Sequence, residues 1–383
     1  MNKTKQLILI SITLPVLLNF AVGKEYEITE NWIPMPDDVQ LATDLYWPSD
    51  YKEGEVYPVL LEYIPYRKDE SRGRNYPLYS YFLDNGYIVA RVDIRGTGRS
   101  EGRVIPNEYS EIELNDGEEV IEWLSAQNWS NGNVGMFGIS WGGFNSIQMA
   151  MRNPPALKAF VAVMATEYLY EEDVHYIDGI MVAGDSWMMS NDLYNSLPGA
   201  PDFTMDEEWY ENRFDVEPSV YKYMRQQRDG PFWDRASAKN KYDLIKIPGY
   251  HIGGWYDGYR NSLPRMIENV SAPVKAMIGP WDHDFPHNAA LKPQVEWRHE
   301  AVRWFDQWLK QVDTGILEEP KFAVYIRDYH EPDDSVEYIP GYWRWENEWP
   351  PTDLSKQTFY GHDNHYLSPE KSKFVEHKLK NKP

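Results

Sequence analysis

The chain has 383 residues, 26% of them charged and 42% apolar, which is material for one large domain or two ordinary ones and too apolar a mixture for disorder. With 38 basic against 60 acidic residues the formal charge is −22, a balance that repels nucleic acid and anionic membranes. There is no cysteine, so disulfides, thiolate metal sites and a cysteine nucleophile are excluded.

Lys3 and Lys5 precede an apolar run over residues 7–18, and small residues close the stretch at Gly23. This is the pattern of a secretory signal peptide over residues 1–23, cleaved after Gly23. The run is short and carries Pro15, which disfavours a retained anchor, and no later stretch is apolar enough to cross a bilayer. An exported chain without cysteine fits a bacterial periplasm or the surrounding medium.

Residues 39–46 alternate apolar and polar, as an edge strand does, and 56–63 read as a second strand. That strand runs into Pro65, which ends the ladder and leaves Tyr66 on a loop. Residues 86–93 form a strand closing in the glycine-rich Arg95-Gly96-Thr97-Gly98-Arg99-Ser100, and Val120, Trp123 and Leu124 mark a helix. An apolar run from Val134 then enters Gly138-Ile139-Ser140-Trp141-Gly142, after which Phe144, Ile147 and Met151 recur at helical spacing. Residues 157–164 are another buried strand. Strands alternating with helices predict a mostly parallel sheet with helices on both faces.

Over residues 166–245 the alternation stops, and the segment is rich in Tyr, Trp, Met, Asp and Glu. It reads as a mostly helical cap inserted into a sheet domain that spans 24–165 and 246–314. The sheet pattern resumes at Ile247, reaches Asp257, passes a helix marked by Leu263, Met266 and Ile267, and returns as a strand over 274–278 that enters Trp281-Asp282-His283. Ala301, Val302, Trp304, Phe305, Trp308, Leu309 and Val312 share one face of a further helix. Beyond it, residues 322–326, 342–345, 358–360 and 373–377 read as short strands of a partial β-sandwich over 315–383.

The Ser140 segment fits G-x-S-x-G in a strand–turn–helix context, which is what a nucleophile elbow requires. The bare pattern is weak, and the alternative is an ordinary serine in a glycine-rich turn. A serine hydroxyl needs a base, and the base needs an acid that fixes its tautomer. In an α/β-hydrolase these follow in the order Ser, acid, His, each on a loop after a strand, and Asp257 and His283 match that order. His287, four residues along the same loop, is the rival base, and Asp257 has the alternative of capping a turn before Gly258. Asp282 and Asp284 are too near His283 in sequence to face it well. The Trp141 N–H, next after the serine, is the expected oxyanion donor, and Tyr66 is placed to supply a second. The glycines at 96, 98 and 102 miss a dinucleotide fingerprint, Pro286 breaks the helix a zincin pair of histidines needs, and no aspartate run has calcium-loop spacing. No cofactor and no metal are expected.

Taken together, Tyr63-Ile64-Pro65-Tyr66-Arg67-Lys68, Arg95-Gly96-Thr97-Gly98-Arg99-Ser100-Glu101-Gly102, the Ser140 elbow, Gly253-Gly254-Trp255-Tyr256-Asp257-Gly258, Gly279-Pro280-Trp281-Asp282-His283 and Trp304-Phe305-Asp306-Gln307-Trp308-Leu309-Lys310 resemble the cocaine-esterase-like (CocE/NonD) serine hydrolases, relatives of X-prolyl dipeptidyl peptidases and α-amino-acid ester hydrolases. The resemblance runs in order from about Ile33 to Pro351. It implies an α/β-hydrolase fold with a helical cap and a C-terminal jelly roll, of which this chain offers only four short strands where a jelly roll has eight. It also implies Ser140 as nucleophile, Asp257 and His283 as its partners, and the Tyr66 hydroxyl with the Trp141 N–H as oxyanion hole. The expected substrate is a small ester, with amides or short peptides bearing a free amino end as the second choice. A non-catalytic binding protein or an inactive shortened form that keeps the fold is the reading from another class. Where sheet gives way to cap, Glu167, Glu171, Glu172 and Asp173 cluster beside Tyr168, Tyr170 and Trp187. These carboxylates could hold a substrate ammonium with aromatics around its apolar part, or they form a solvated acidic stretch.

Overall fold

The computed structural model describes residues 26–371 apart from 178, 183, 200, 201, 334 and 363–365. The expected leader and the strand expected at 373–377 lie outside the described residues. No helix among the described residues is long and apolar enough to cross a membrane.

The chain opens with a hairpin, β1 (Ile28–Pro34) and β2 (Gln40–Tyr46), followed by β3 (Tyr57–Ile64), α1 (Lys68–Asp84), β4 (Ile88–Asp93), α2 (Glu111–Ser125), β5 (Ser130–Ile139), α3 (Trp141–Arg152) and β6 (Leu157–Val163). An excursion then carries α4 (Leu169–Glu172), the ribbon β7 (Tyr176–Ile177) and β8 (Ile180–Met181), α5 (Gly184–Asn195), α6 (Glu207–Trp209), α7 (Ser219–Arg225) and α8 (Pro231–Asp234). The chain returns as β9 (Gly249–Gly254), α9 (Ser262–Asn269), β10 (Val274–Gly279), α10 (Trp297–Leu309), β11 (Phe322–Arg327) and β12 (Gly341–Glu346), with a hairpin β13 (Tyr360–His362) and β14 (Tyr366–Ser368) at the end.

Ten strands form one sheet in the order β1-β2-β4-β3-β5-β6-β9-β10-β11-β12. From β4 to β11 every pair is parallel, while β1, β2 and β12 run antiparallel to their neighbours. This is the α/β-hydrolase fold. Its central strands β4, β9 and β10 are buried at every position, as strands covered on both faces must be. Phe137 of β5 meets Tyr79 and Phe82 of α1, with ring centres 6.2 and 5.0 Å apart, and α1 packs beside α10 on that face. The opposite face is covered by α2 and α3, where Gly117 of α2 sits against Met149 of α3 and Tyr63 of β3.

Two features differ from the sequence expectation after Thr314. The stretches expected to begin a separate β-sandwich, β11 and β12, instead extend the main sheet, with Ala276, Met277 and Ile278 of β10 paired in parallel to Phe322, Ala323 and Val324. The amphipathic α10 is the reason, since it serves as the crossover that brings the chain back for one more parallel strand. Among the described residues of this region, only the β13–β14 hairpin stands apart from the main sheet, and it begins at Tyr360 rather than at Thr358.

Among the described residues the regular elements of the excursion are short helices and the small β7–β8 ribbon. Its two ends are clasped: the Ala238 N–H donates to the Glu167 carbonyl at 2.8 Å, and the Leu169 N–H to Ser237 Oγ at 3.2 Å. Its small core is aromatic, with Trp233 against Tyr170, Tyr176 and Tyr223.

Candidate active site

Ser140 stands between the end of β5 and the start of α3, with φ 56° and ψ −125°. That is a backbone region a side-chain-bearing residue enters only under strain, of about 1–3 kcal/mol. The turn is held from both sides, because the Ser140 N–H donates to the Val163 carbonyl at 3.0 Å and its own carbonyl accepts from the Phe144 N–H at 2.9 Å. The flanking glycines are there for closeness. A Cβ on Gly138 would lie 2.7 Å from the Gly142 Cα, and one on Gly142 would lie 2.9 Å from Ile64 Cγ2. The hydroxyl is thereby held at the carboxyl end of the sheet, above the first turn of a twelve-residue helix.

The adjacent strands β9 and β10 deliver the other two groups. Asp257 follows β9, His283 follows β10, and the two loops touch closely enough that a Cβ on Gly254 would fall 2.2 Å from the Trp281 carbonyl oxygen. The Asp257 carboxylate is buried. One oxygen accepts from the Tyr259 N–H at 2.7 Å, and the other lies 2.6 Å from His283 Nδ1. A carboxylate can only accept, so Nδ1 carries the proton and Nε2 is left as the basic nitrogen. The imidazole itself is about half exposed, at 47% of its side chain. Ser140, Asp257, His283 and Tyr66 line one cavity of about 830 Å³, mouth included. The Tyr66 side chain lines this cavity beside Ser140 and Trp141, with its ring edge-on to the Trp141 indole at 6.4 Å, and burial pushes its pKa up to about 12, so at neutral pH it is an intact phenol able to donate.

The rival histidine is placed elsewhere. His287 Nδ1 accepts from the Trp297 indole N–H at 2.8 Å, and burial pushes its pKa down to about 4. His251 is a core residue of β9, pushed by burial to about 3. Asp284 accepts from the Phe285 N–H in its own loop.

A model of the X-Pro dipeptidyl-peptidase (S15) family matches residues 37–284, a stretch that contains Tyr66, Ser140, Asp257 and His283. The chain belongs to the S15 family. The cocaine esterase of Rhodococcus sp. (strain MB1 Bresler) is 27% identical over 380 residues, covering 88% of this S15 chain and 63% of the esterase. A CocE/NonD family hydrolase from Staphylococcus aureus superposes with a TM-score of 0.68 at 21% identity, over 89% of this chain and 60% of that one. An α-amino acid ester hydrolase does so with a TM-score of 0.66, also at 21% identity, over 94% and 66%. The chain therefore spans less than two thirds of the length of the curated esterase it matches.

The acidic cluster of this S15 member divides on inspection. Glu167 is wholly buried and is not part of the Ser140 cavity wall, accepting from Tyr242, Ser262 and Arg265, the last at 2.6 Å. Glu172 reaches the cavity wall, but its carboxylate is held by Arg265 at 2.7 and 2.8 Å. Glu171 is half-buried and is not part of the wall. The Tyr168 hydroxyl donates to Asp229 at 2.6 Å and that of Tyr170 to the Gln227 carbonyl at 2.9 Å, so both serve the excursion and neither lines the cavity. Trp187 lies on α5, and its side chain is outside the described residues. Asp173 differs from the others. One of its oxygens accepts from the Val174 N–H at 2.8 Å, while Oδ2 is buried with no partner. Burial and then the nearby Glu108 charge push its pKa up to about 7.

Glu108 itself escaped the sequence reading, because no motif marks it. It is buried in the same wall, 2.9 Å from His175 Nε2. Glu108, Asp173 and His175 each offer an atom within 4.8 Å of the others, close enough to surround a cation. A second such group, Glu30, Asp44 and Asp69, is already neutralised by Lys68 and Arg72. Glu113 was also missed. It accepts from the Trp141 indole at 2.7 Å, from Asn145 at 3.1 Å and from the Tyr109 N–H at 2.6 Å, and so ties down the residue next to the serine.

Proposed function

We propose that this chain is an exported serine hydrolase that cleaves carboxylic esters through an acyl-enzyme on Ser140. The observation that carries the proposal is the 2.6 Å contact between His283 Nδ1 and the buried Asp257, in the cavity that also holds the strained Ser140. In this reading His283 Nε2 takes the hydroxyl proton as Ser140 Oγ attacks the carbonyl carbon. The Trp141 N–H and the Tyr66 hydroxyl donate to the oxyanion as it forms. Collapse expels the alcohol, which takes the proton from His283. Water then repeats the cycle on the acyl-enzyme with His283 again as base. Asp257 fixes the tautomer and stabilises the imidazolium throughout.

Ser140→Ala should abolish labelling by a serine-directed phosphonate and lower hydrolysis of short aryl esters by several orders of magnitude. A folded variant that keeps its activity would overturn Ser140 as the nucleophile, whereas native protein that neither labels nor hydrolyses would leave a binding protein on this fold. Export rests on the pattern of residues 1–23, and a secreted protein beginning at Lys24 is the expected product.

Asp173 favours a second reading, in which the substrate is an ester, amide or short peptide with a free amino end. The partnerless Oδ2, backed by Glu108, would receive the ammonium group in the wall of the Ser140 cavity.

A further inference from the structure

A second cavity lies beyond Trp141 and Glu108, both of which line it as well as the Ser140 cavity. Its walls come from residues 104–108 of the sheet domain, from α5, and from the segment between α6 and α7. They are largely apolar, with Val104, Ile105, Leu193, Phe214, Val216 and Pro218 facing inward. About 760 Å³ lies between them, mouth included, within the span of small-molecule sites.

One polar group in this wall is unaccounted for. Asn195, the last residue of α5, is 2% exposed, and neither its side-chain nitrogen nor its side-chain oxygen has a hydrogen-bond partner. Its backbone is fixed, since its carbonyl accepts from the Gly98 N–H at 3.0 Å. The neighbouring polar side chains are all engaged. Asp192 accepts from the Ser219 hydroxyl, Ser196 donates to the Asp192 carbonyl at 2.7 Å, and Arg213 donates to the carbonyls of Gly98 and Ser100. A buried carboxamide whose donor and acceptor are both unmet is costly in a finished fold, and it becomes useful when a ligand supplies the missing partners.

We propose that this chamber takes an apolar arm of the substrate carrying a carbonyl or amide group, which Asn195 reads while the scissile carbonyl sits at Ser140. The inference rests on the serine hydrolase reading above. The arm passes the shared wall of Trp141 and Glu108, so its length, rather than the chemistry at Ser140, decides whether it reaches Asn195. The arm belongs either to the acyl group or to the alcohol, and both would meet the same chamber.

Two ester series separate these sources. One varies the acyl arm on a constant alcohol and the other varies the alcohol on a constant acetyl group. Each runs from a short arm to a long alkyl arm and to an arm of equal length ending in a carboxamide. In Asn195→Leu the kcat/KM ratio of carboxamide to plain alkyl arm should fall about tenfold in one series, as when a site loses a hydrogen bond to its substrate. In Val216→Trp, which fills the chamber from a half-buried loop position, both long arms should lose about tenfold relative to the short one. Val216→Trp carries the test if Asn195→Leu fails to fold, and labelling of Ser140 by a methyl fluorophosphonate reports the fold of each variant. Labelled protein whose arm preferences are unchanged by either substitution in both series would overturn the inference alone. Wild-type protein that neither labels nor hydrolyses the short esters would overturn the Ser140 reading, and the inference with it.

Discussion

Replacing Glu113 with Gln should change how stability depends on pH, and the sign follows from the site. Glu113 is wholly buried, and burial pushes its pKa from 4.5 up to about 7 against the pull of the Trp141, Asn145 and Tyr109 donors. The unfolded chain therefore releases this proton near pH 4.5 and the folded chain near pH 7. Between those values the folded state binds more protons than the unfolded one, so stability falls as the pH rises. The gap corresponds to a loss of about 3 kcal/mol by pH 8, at 1.36 kcal/mol per pKa unit. Gln keeps the shape but cannot ionise, and its amide nitrogen, unlike the hydroxyl oxygen of a protonated Glu113, cannot accept from the donor it faces. That mismatch should destabilise the variant by about 1–3 kcal/mol at pH 5, where the native Glu113 is protonated. By pH 8 the native protein has lost its advantage, and the difference should close or reverse. Urea unfolding at pH 5, 6.5 and 8 measures this directly. A stability difference that stays constant across the three would mean that Glu113 does not titrate in this window, and the argument from burial would fail.

Three further outcomes follow from the same site. His283→Ala should approach the loss expected for Ser140→Ala, while His287→Ala should leave kcat within a few fold and cost mainly stability through Trp297, and ester kinetics beside a melting curve would expose a reversed ranking. Tyr66→Phe should lower kcat by about 10²–10³ with little change in stability, as loss of one oxyanion donor does, and unchanged kcat would remove the hydroxyl from the mechanism. Asp173→Asn should reduce the ratio of kcat/KM for an α-amino ester over its deaminated analogue, and equal values for the two esters in the native protein would retire the ammonium reading.

The sheet was legible because its strands are short apolar runs bounded by Gly, Pro and Asp, and because each candidate catalytic residue sits just past such a run. Two elements were not. Strand β1 alternates without a strong apolar face, and α1 holds Gly73 and Pro77 inside the helix. Its formation depends on partners far away in sequence, such as Asp44, which receives the buried Lys68 at 2.8 Å. The pairing of Asp257 with His283 could be read from chain order, whereas the fate of the acidic cluster could not. Glu167 and Glu172 are claimed by Arg265, roughly a hundred residues on, and nothing local in the sequence announces an ion pair of that span. Asn195 and Glu108 were invisible for the opposite reason. They matter through what their side chains lack or share in three dimensions, and composition carries no trace of that.

The clasp between Glu167 and Ala238 has a consequence for how such a protein can diversify. Because the two ends of the excursion are fastened to each other, residues 168–237 form a cassette whose points of exit and re-entry stay put when its contents change. Ser140, Asp257, His283 and Tyr66 all lie outside it, on the sheet or its own loops, whereas Asp173 and Asn195 lie within. Exchange of this one segment between related chains would reshape the chamber while leaving these four candidate catalytic residues untouched. On the reading proposed above, substrate range and reaction chemistry would then evolve along separate tracks in the same gene.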